Sequence, residues 1–274
     1  MNKLLIAAIQ MVSSDNVEDN LKTVKILVKK AVSQGARLLV LPENFALMAS
    51  SSRQIADVKE TLGEGRIQTF LAELAKTHHI WIIAGSLPIA SSDPSRAYAC
   101  SLVYDDSGCL VNHYNKIHLF DVDTPHKKHR YQESKTFYPG DQAVVIDSPF
   151  GKIGLSICYD LRFPELYREL IEAGATIIVA PSAFTHDTGL AHWELLCRTR
   201  AIENLCYIIA PNQGGTHSNG RQTYGHSMIV NPWGEVLGEA TRSGEKVVLA
   251  EIDQSKLSSL RRTFPAIDHR RMIR

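Results

Sequence analysis

No apolar run in the 274-residue sequence approaches the roughly 20 residues that a membrane-spanning helix needs. Its five cysteines are odd in number and include no closely spaced pair, so they form neither a disulfide framework nor a CxxC zinc site. Reduced thiols and a cytoplasmic enzyme are therefore expected. An excess of either charge is also missing: 30 Lys and Arg face 29 Asp and Glu, for a formal net charge of +1. That balance argues against a general polyanion binder, and neither nucleic acid nor membrane is expected as a partner. A phosphate-cradling loop is absent too, because "GEG" (63–65) and "NQGG" (212–215) lack both the spacing and the lysine. The apolar core of "MNKLLIAAIQM", Leu4 to Ile9, is too short for a secretion signal and lacks a cleavage site, so it is expected to be a buried strand. The basic end, "RRTFPAIDHRRMIR", is interrupted by Asp268 and is expected to be a solvated or subunit-contacting tail.

What is present is an alternation of apolar runs and helical patterns. Val17 to Ser33 places Val17, Leu21, Val24, Leu27, Val28 and Ala31 on one face, with Asp15 or Asn16 placed to cap the helix and Gly35 to end it. "RLLVLPE" (37–43) follows as a strand, then a helix from Arg66 to His78 and a strand through "IWIIAGSLPI" (80–89). "AYACSLVYDDSGCLVNHY" and "AVVIDSPFGKIGLSICYD" are expected hairpins turning at "DDSG" and "SPFG". Between them, residues 121–142 form the longest irregular stretch. Helices at 164–173 and 191–204 alternate with strands at 176–181 and 206–210, and "GHSMIVNPWGEVLGEA" and "EKVVLAEID" add antiparallel strands. "GARLLVLPE" (35–43) and "GATIIVAPS" (174–182) share one order: helix-ending glycine, strand, proline, polar residue. Two similar halves of mixed sheet backed by helices follow, in a single domain spanning 1–274.

Reactive side chains gather where strands end, because the strand fixes position and the loop gives access. Glu43 ends "RLLVLPE", Lys116 follows "LVNHYN", and Cys158 ends "GKIGLSIC". A base, a cation and a thiol suffice to attack an amide. The thiol needs activation, either by a lowered pKa from a cation or helix N-terminus (Pro164 opens the next helix) or by a carboxylate that takes its proton. Lys116 and the backbone N–H of Tyr159 are candidate oxyanion donors. Each residue also has a plainer reading. Cysteines usually fill space, which is the expectation for Cys100, Cys109, Cys197 and Cys206. Glu43 could serve a helix N-cap, Lys116 could be a surface charge, and "HKKH" (126–129) could be a solvated loop or a metal pair.

"LPENF" (41–45), "NKIHLFD" (115–121) and "SICYDLRFPE" (156–165) together resemble the nitrilase, or carbon–nitrogen hydrolase, superfamily, and the likeness extends from "AAIQM" to "GHSMIVNPWGEVL". The resemblance implies an α/β fold, a four-layer αββα sandwich of two mixed β-sheets flanked by helices, assembled as a homodimer. It assigns Glu43 as general base, Lys116 as stabiliser of the tetrahedral intermediate, Cys158 as nucleophile and Glu133 as the second glutamate that orients Lys116. No metal and no organic cofactor are implied. Cys-Tyr-Asp rather than Cys-Trp-Glu resembles the amidases, and the Nit branch in particular, in which Tyr159, Arg162, Phe184 and Thr185 would contact substrate. A guanidinium such as Arg162 can grip a carboxylate through two parallel hydrogen bonds.

The implied reaction hydrolyses the terminal amide of a small 2-oxo acid through a cysteine thioester, releasing ammonia. Deaminated glutathione ranks ahead of 2-oxoglutaramate, the omega-amidase substrate. N-carbamoyl or aliphatic amides are the alternative, and a catalytically silent interaction protein is the rival of another class. The basic loop 126–130 would either meet an anionic substrate or simply be solvated.

Overall fold

Alternate residues of one strand are buried on opposite sides, and this explains the uninterrupted apolar runs. In the computed structural model, which describes residues 4–123 and 130–271, Ile6 and Ala8 of the strand Leu4–Gln10 pack into one core while Ala7 and Ile9 pack into another. Leu38 and Val40 alternate with Leu39 and Leu41 in the same way. A strand buried on both faces needs no polar position.

Two mixed sheets carry this pattern. In the seven-stranded sheet, Leu4–Gln10, Leu38–Leu41 and Trp81–Ala84 run parallel, and Lys246–Ile252 closes one side antiparallel. Ala97–Tyr104, Leu87–Ala90 and Leu110–Asn115 complete the other side. The six-stranded sheet centres on the parallel strands Ile153–Leu155, Ile177–Val179 and Tyr207–Ala210, flanked by antiparallel Val144–Ile146, Met228–Val230 and Val236–Glu239. Helices Val17–Ser33 and Arg66–His78 cover the first sheet through Leu21, Val24, Leu71 and Leu74. Pro164–Glu172 and His186–Asn204 cover the second through Leu166, Leu170 and Trp193. The layers are helix, sheet, sheet, helix, as the resemblance implies.

The repeated segments take the same local form. Gly35 and Gly174 each follow a helix at positive φ, +93° and +96°. After each, the next N–H bonds back to the carbonyl five residues earlier, Ala36 to Ala31 and Ala175 to Leu170. These are left-handed helix ends that glycine adopts without steric penalty.

Several expectations need correction. The run 80–89 is two strands, not one, because it breaks at Gly85 and Ser86. A Cβ on Gly85 would meet the Pro42 carbonyl oxygen at 1.9 Å, and Ser86 Oγ accepts the Asn44 N–H at 3.0 Å. The break therefore seats the segment that bears Glu43. The last long helix begins at His186 rather than 191, and Gly189 within it lets the helix lie against Tyr224. Helices Ser52–Val58 and Gln254–Thr263 and the hairpin Gly214–Thr216/Gln222–Tyr224 have no counterpart in the sequence pattern. Part of the stretch expected to be irregular is a short hairpin, Asp121–Asp123 with Arg130–Gln132. Arg261, assigned to the tail, lies in the last helix and caps the carbonyls of Leu205 and Ala175. Cys109 is exposed just past the "DDSG" turn, so it does not fill the core.

Candidate active site

Three chain segments converge on one ammonium group. Lys116 leaves the strand Leu110–Asn115 with its N–H on the Ala99 carbonyl and its own carbonyl accepting from Gly140 N–H. Its side chain is 1% exposed, and Nζ donates to Glu43 Oε1 at 2.8 Å and to both carboxylate oxygens of Glu133 at 2.9 Å. Glu133 opens a single 3-10 turn, Glu133–Lys135, and its Oε2 also accepts the Phe120 N–H at 2.6 Å. Glu43 lies just beyond Leu38–Leu41, and its carbonyl accepts from Gln213 Nε2 at 3.0 Å. Asn44 follows in the left-handed region at φ +58°.

Cys158 stands at a sharp exit from the strand Ile153–Leu155. Its φ is +49°, a conformation unfavourable for any residue with a Cβ, and its N–H bonds to the Pro181 carbonyl at 2.9 Å. Strain of this kind persists only where neighbours over-determine it. Asp160, fully buried, is the main neighbour responsible. Its carboxylate accepts from Ile157 N–H at 2.8 Å, Tyr114 Oη at 2.8 Å and His118 N–H at 3.1 Å, and lies 2.6 Å from His118 Nδ1. Tyr114 and His118 flank Lys116 in the chain, so Asp160 ties the turn holding the thiol to the segment holding the ammonium.

Electrostatics decide how the thiol can be activated. Burial pushes the Cys158 thiol well above its ordinary value, and the Glu43 carboxylate raises it further. Lys116 and the backbone N–H of Ala183 oppose this without overcoming it. The balance favours the thiol over the thiolate, and a thiol held in that form needs a neighbouring base to take its proton before it can act as a nucleophile. For Lys116, burial disfavours the charge, but Glu133 and Glu43 outweigh it and the ammonium is held well above its usual range. Glu133 is shifted upward, chiefly by burial and then by Glu43, against the pull of Lys116. The helix opened by Pro164 was the expected source of backbone donors near the thiol. The backbone N–H that draws the thiol downward is that of Ala183, on the loop after the strand Ile177–Val179.

A cleft of about 280 Å³ opens over this cluster. All eight residues singled out from the sequence line it: Glu43, Lys116, Glu133 and Cys158 at the reacting centre, and Tyr159, Arg162, Phe184 and Thr185 around it. The Arg162 guanidinium lies 5.6 Å from the Phe184 ring centroid and 5.9 Å from that of Tyr159, with both terminal nitrogens 3.3 Å from His192 Nδ1. Among the described residues it has no carboxylate partner. Sequence reasoning missed Phe137, Tyr131, Thr188 and Arg221, which also line the cleft. Thr188 alone had a legible signal, one helical turn beyond Thr185, whose Oγ1 it meets at 2.8 Å. Of the basic loop 126–130, residues 126–129, the "HKKH" run, lie outside the described residues, while Arg130 lines the cleft and pairs loosely with Asp123 at 3.6 Å. Among the described residues, no group of three or more His, Cys, Asp or Glu side chains could hold a metal ion.

The profile described as Carbon-nitrogen hydrolase matches residues 5–262. The chain belongs to the carbon–nitrogen hydrolase family. It is thus an amide-cleaving enzyme on a nitrilase-superfamily fold. A deaminated glutathione amidase of Dictyostelium discoideum is 42% identical over 99% of this chain and 96% of its own length. The human deaminated glutathione amidase is 38% identical over 97% and 82%. Among solved structures, the C. elegans NitFhit protein superposes with a TM-score of 0.91 at 38% identity, over 99% of this chain and 66% of that one. Saccharomyces cerevisiae Nit3, a member of branch 10 of the nitrilase superfamily, gives 0.88 at 31%, over 98% and 97%.

The state of the thiol has a measurable consequence. Because the Cys158 pKa is raised above 9.0, its thiolate fraction keeps growing as pH passes that value. Iodoacetamide labelling of the Cys158 peptide, read by mass spectrometry against the exposed Cys109, is expected to be slow at neutral pH and still accelerating above about pH 9. A rate that reached its plateau below pH 8 would show a preformed thiolate instead.

Proposed function

We propose that this hydrolase cleaves 2-oxo acid amides, deaminated glutathione foremost, through a thioester on Cys158. The observation that carries the reading is the buried Lys116 ammonium, 2.8 Å from one carboxylate and 2.9 Å from another, in the cleft that Cys158 also lines. Glu43 takes the thiol proton as sulfur attacks the amide carbon. The carbonyl oxygen becomes an oxyanion against Lys116, with the Tyr159 N–H as second donor. Glu43 returns the proton to nitrogen, the C–N bond breaks, and a thioester remains. Water gives a proton to the same carboxylate and adds to the thioester carbon; the C–S bond then breaks, the acid leaves, and Glu43 passes that proton to the sulfur, restoring thiol and carboxylate. One carboxylate acts in turn as base, acid and base. Glu133, gripping Lys116 with both oxygens, is a positioning residue.

Arg162 would bind the 2-oxo acid carboxylate, since its guanidinium faces the cleft without a carboxylate partner among the described residues. Relatives at 42% and 38% identity named deaminated glutathione amidase support that substrate. The nitrogen product differs between substrates. The ammonia expected from the sequence belongs to a primary amide such as 2-oxoglutaramate. Both amides of deaminated glutathione are secondary, so its leaving group is the amine of a dipeptide.

A homodimer fits the surface. Leu190, Leu195 and Ile202 of helix His186–Asn204 are 68%, 66% and 49% exposed, and Trp233, beside the Gly234 that Ile202 touches, is 58% exposed. Such apolar exposure on one helix is a feature of subunit contacts. The five unpaired cysteines suit a reducing compartment such as the cytoplasm.

Release of 2-oxoglutarate from deaminated glutathione and 2-oxoglutaramate, measured beside turnover of N-carbamoyl amino acids and aliphatic amides, tests the substrate. The 2-oxo amides are expected to lead by at least about tenfold in kcat/KM, with Cys158→Ser and Glu43→Gln each lowering kcat by about 10³-fold or more. Faster turnover of aliphatic amides, or near-native activity in Cys158→Ser, would contradict the scheme. Sedimentation equilibrium is expected to return a dimer that Leu195→Asp weakens, and a wild-type monomer would remove the proposed assembly.

A further inference from the structure

The reaction cleft opens beside a second, larger cleft of about 670 Å³, and Tyr131, Thr185 and Arg221 line both. Arg221 stands at this junction. Its backbone is fixed in the tip of the hairpin Gly214–Thr216/Gln222–Tyr224, where its N–H bonds to Asn219 Oδ1 at 3.0 Å and its carbonyl accepts from His217 N–H at 2.9 Å. Its guanidinium donates from Nη2 to the Ala183 carbonyl at 2.9 Å and lies 5.8 Å from the Tyr131 ring centroid. Nε is buried and has no hydrogen-bond partner. No carboxylate among the described residues forms an ion pair with it. A buried guanidinium nitrogen left unbonded is costly unless a ligand satisfies it.

Position separates the two arginines. Arg162 lines only the reaction cleft, whereas Arg221 faces the passage into the outer one. Ala183 links Arg221 to the site, since it lines the reaction cleft together with Cys158 and its carbonyl holds Arg221. An amide substrate has two sides, the acyl part that becomes the thioester and the amine that leaves. With Arg162 taking the acyl-side carboxylate, the outer cleft is left for the amine. A dipeptide extends at most about 7 Å from its nitrogen, which suits a cleft that adjoins the one lined by Cys158.

We propose that Arg221 and the outer cleft form a subsite for the terminal carboxylate of the leaving amine, so that amides whose nitrogen carries a short acidic peptide are preferred. The inference rests on the 2-oxo amidase reading above.

The test compares kcat/KM, read as 2-oxoglutarate release, for deaminated glutathione, its C-terminal carboxamide and 2-oxoglutaramate. Replacing the carboxylate by a carboxamide is expected to cost the wild-type enzyme roughly 10- to 100-fold, the range of a charge-assisted hydrogen bond. In Arg221→Met that gap should shrink to within about threefold, while Arg221→Lys, which keeps the charge but not the fork, should retain part of it. Equal turnover of acid and carboxamide by the wild type, or a gap unchanged in Arg221→Met, would overturn the subsite alone, with turnover of all three intact. A wild-type enzyme inactive on all three would overturn the amidase reading and the subsite with it.

Discussion

An ammonium group removed from water costs several kcal/mol unless opposite charge and hydrogen bonds replace its hydration. Lys116 meets that requirement with three acceptor oxygens from two carboxylates, two of them from one glutamate. Much of the molecule's geometry follows. Glu43, Lys116 and Glu133 come from three separate segments, and each must arrive within about 3 Å of one nitrogen. A small displacement of any segment would leave a buried charge uncompensated. At the sulfur, burial first and the Glu43 carboxylate second disfavour a thiolate, against the pull of Lys116.

The sheets supply the rigidity this arrangement needs. Glu43 is held by the strand behind it, by Gly85 packed under Pro42, and by Ser86 bonded to the next residue. Cys158 sits in strained backbone that Asp160 pins with bonds to Ile157, Tyr114 and His118. Glycine and serine at the break in one strand, and a buried aspartate beside Cys158, thus serve the same end. They turn strand ends into fixed mounts for groups that must react within a fraction of an ångström.

Much of this was legible in the sequence. The double burial of Leu4–Gln10 and Leu38–Leu41 shows as unbroken apolar runs, and the helix faces of Val17–Ser33 and Arg66–His78 show as periodicity. Glu43, Lys116 and Cys158 could be picked out because each stands at the end of an expected strand. Glu133 could not, since it stands in a short 3-10 turn whose place beside Lys116 is set by tertiary contacts alone. Arg221 was hidden for the same reason: in the sequence it is one charge in a polar turn, and only folding brings it against Ala183, which lines the cleft with Cys158. Two glycines mark structure that the apolar pattern does not show. Gly85 marks a functional break inside what looked like one strand, and Gly189 lies within a helix because Tyr224 fills the space a side chain would need.

The charge state of Lys116 is the property most directly open to measurement. Enzyme labelled with nitrogen-15 at lysine Nζ should show one ammonium resonance, protected from exchange and absent in Lys116→Met, that persists unshifted to pH 10.5, where an ordinary lysine is half deprotonated. Titration of that resonance below about pH 10 would mean that the two glutamates do not hold the charge, and the account built on their grip would fail.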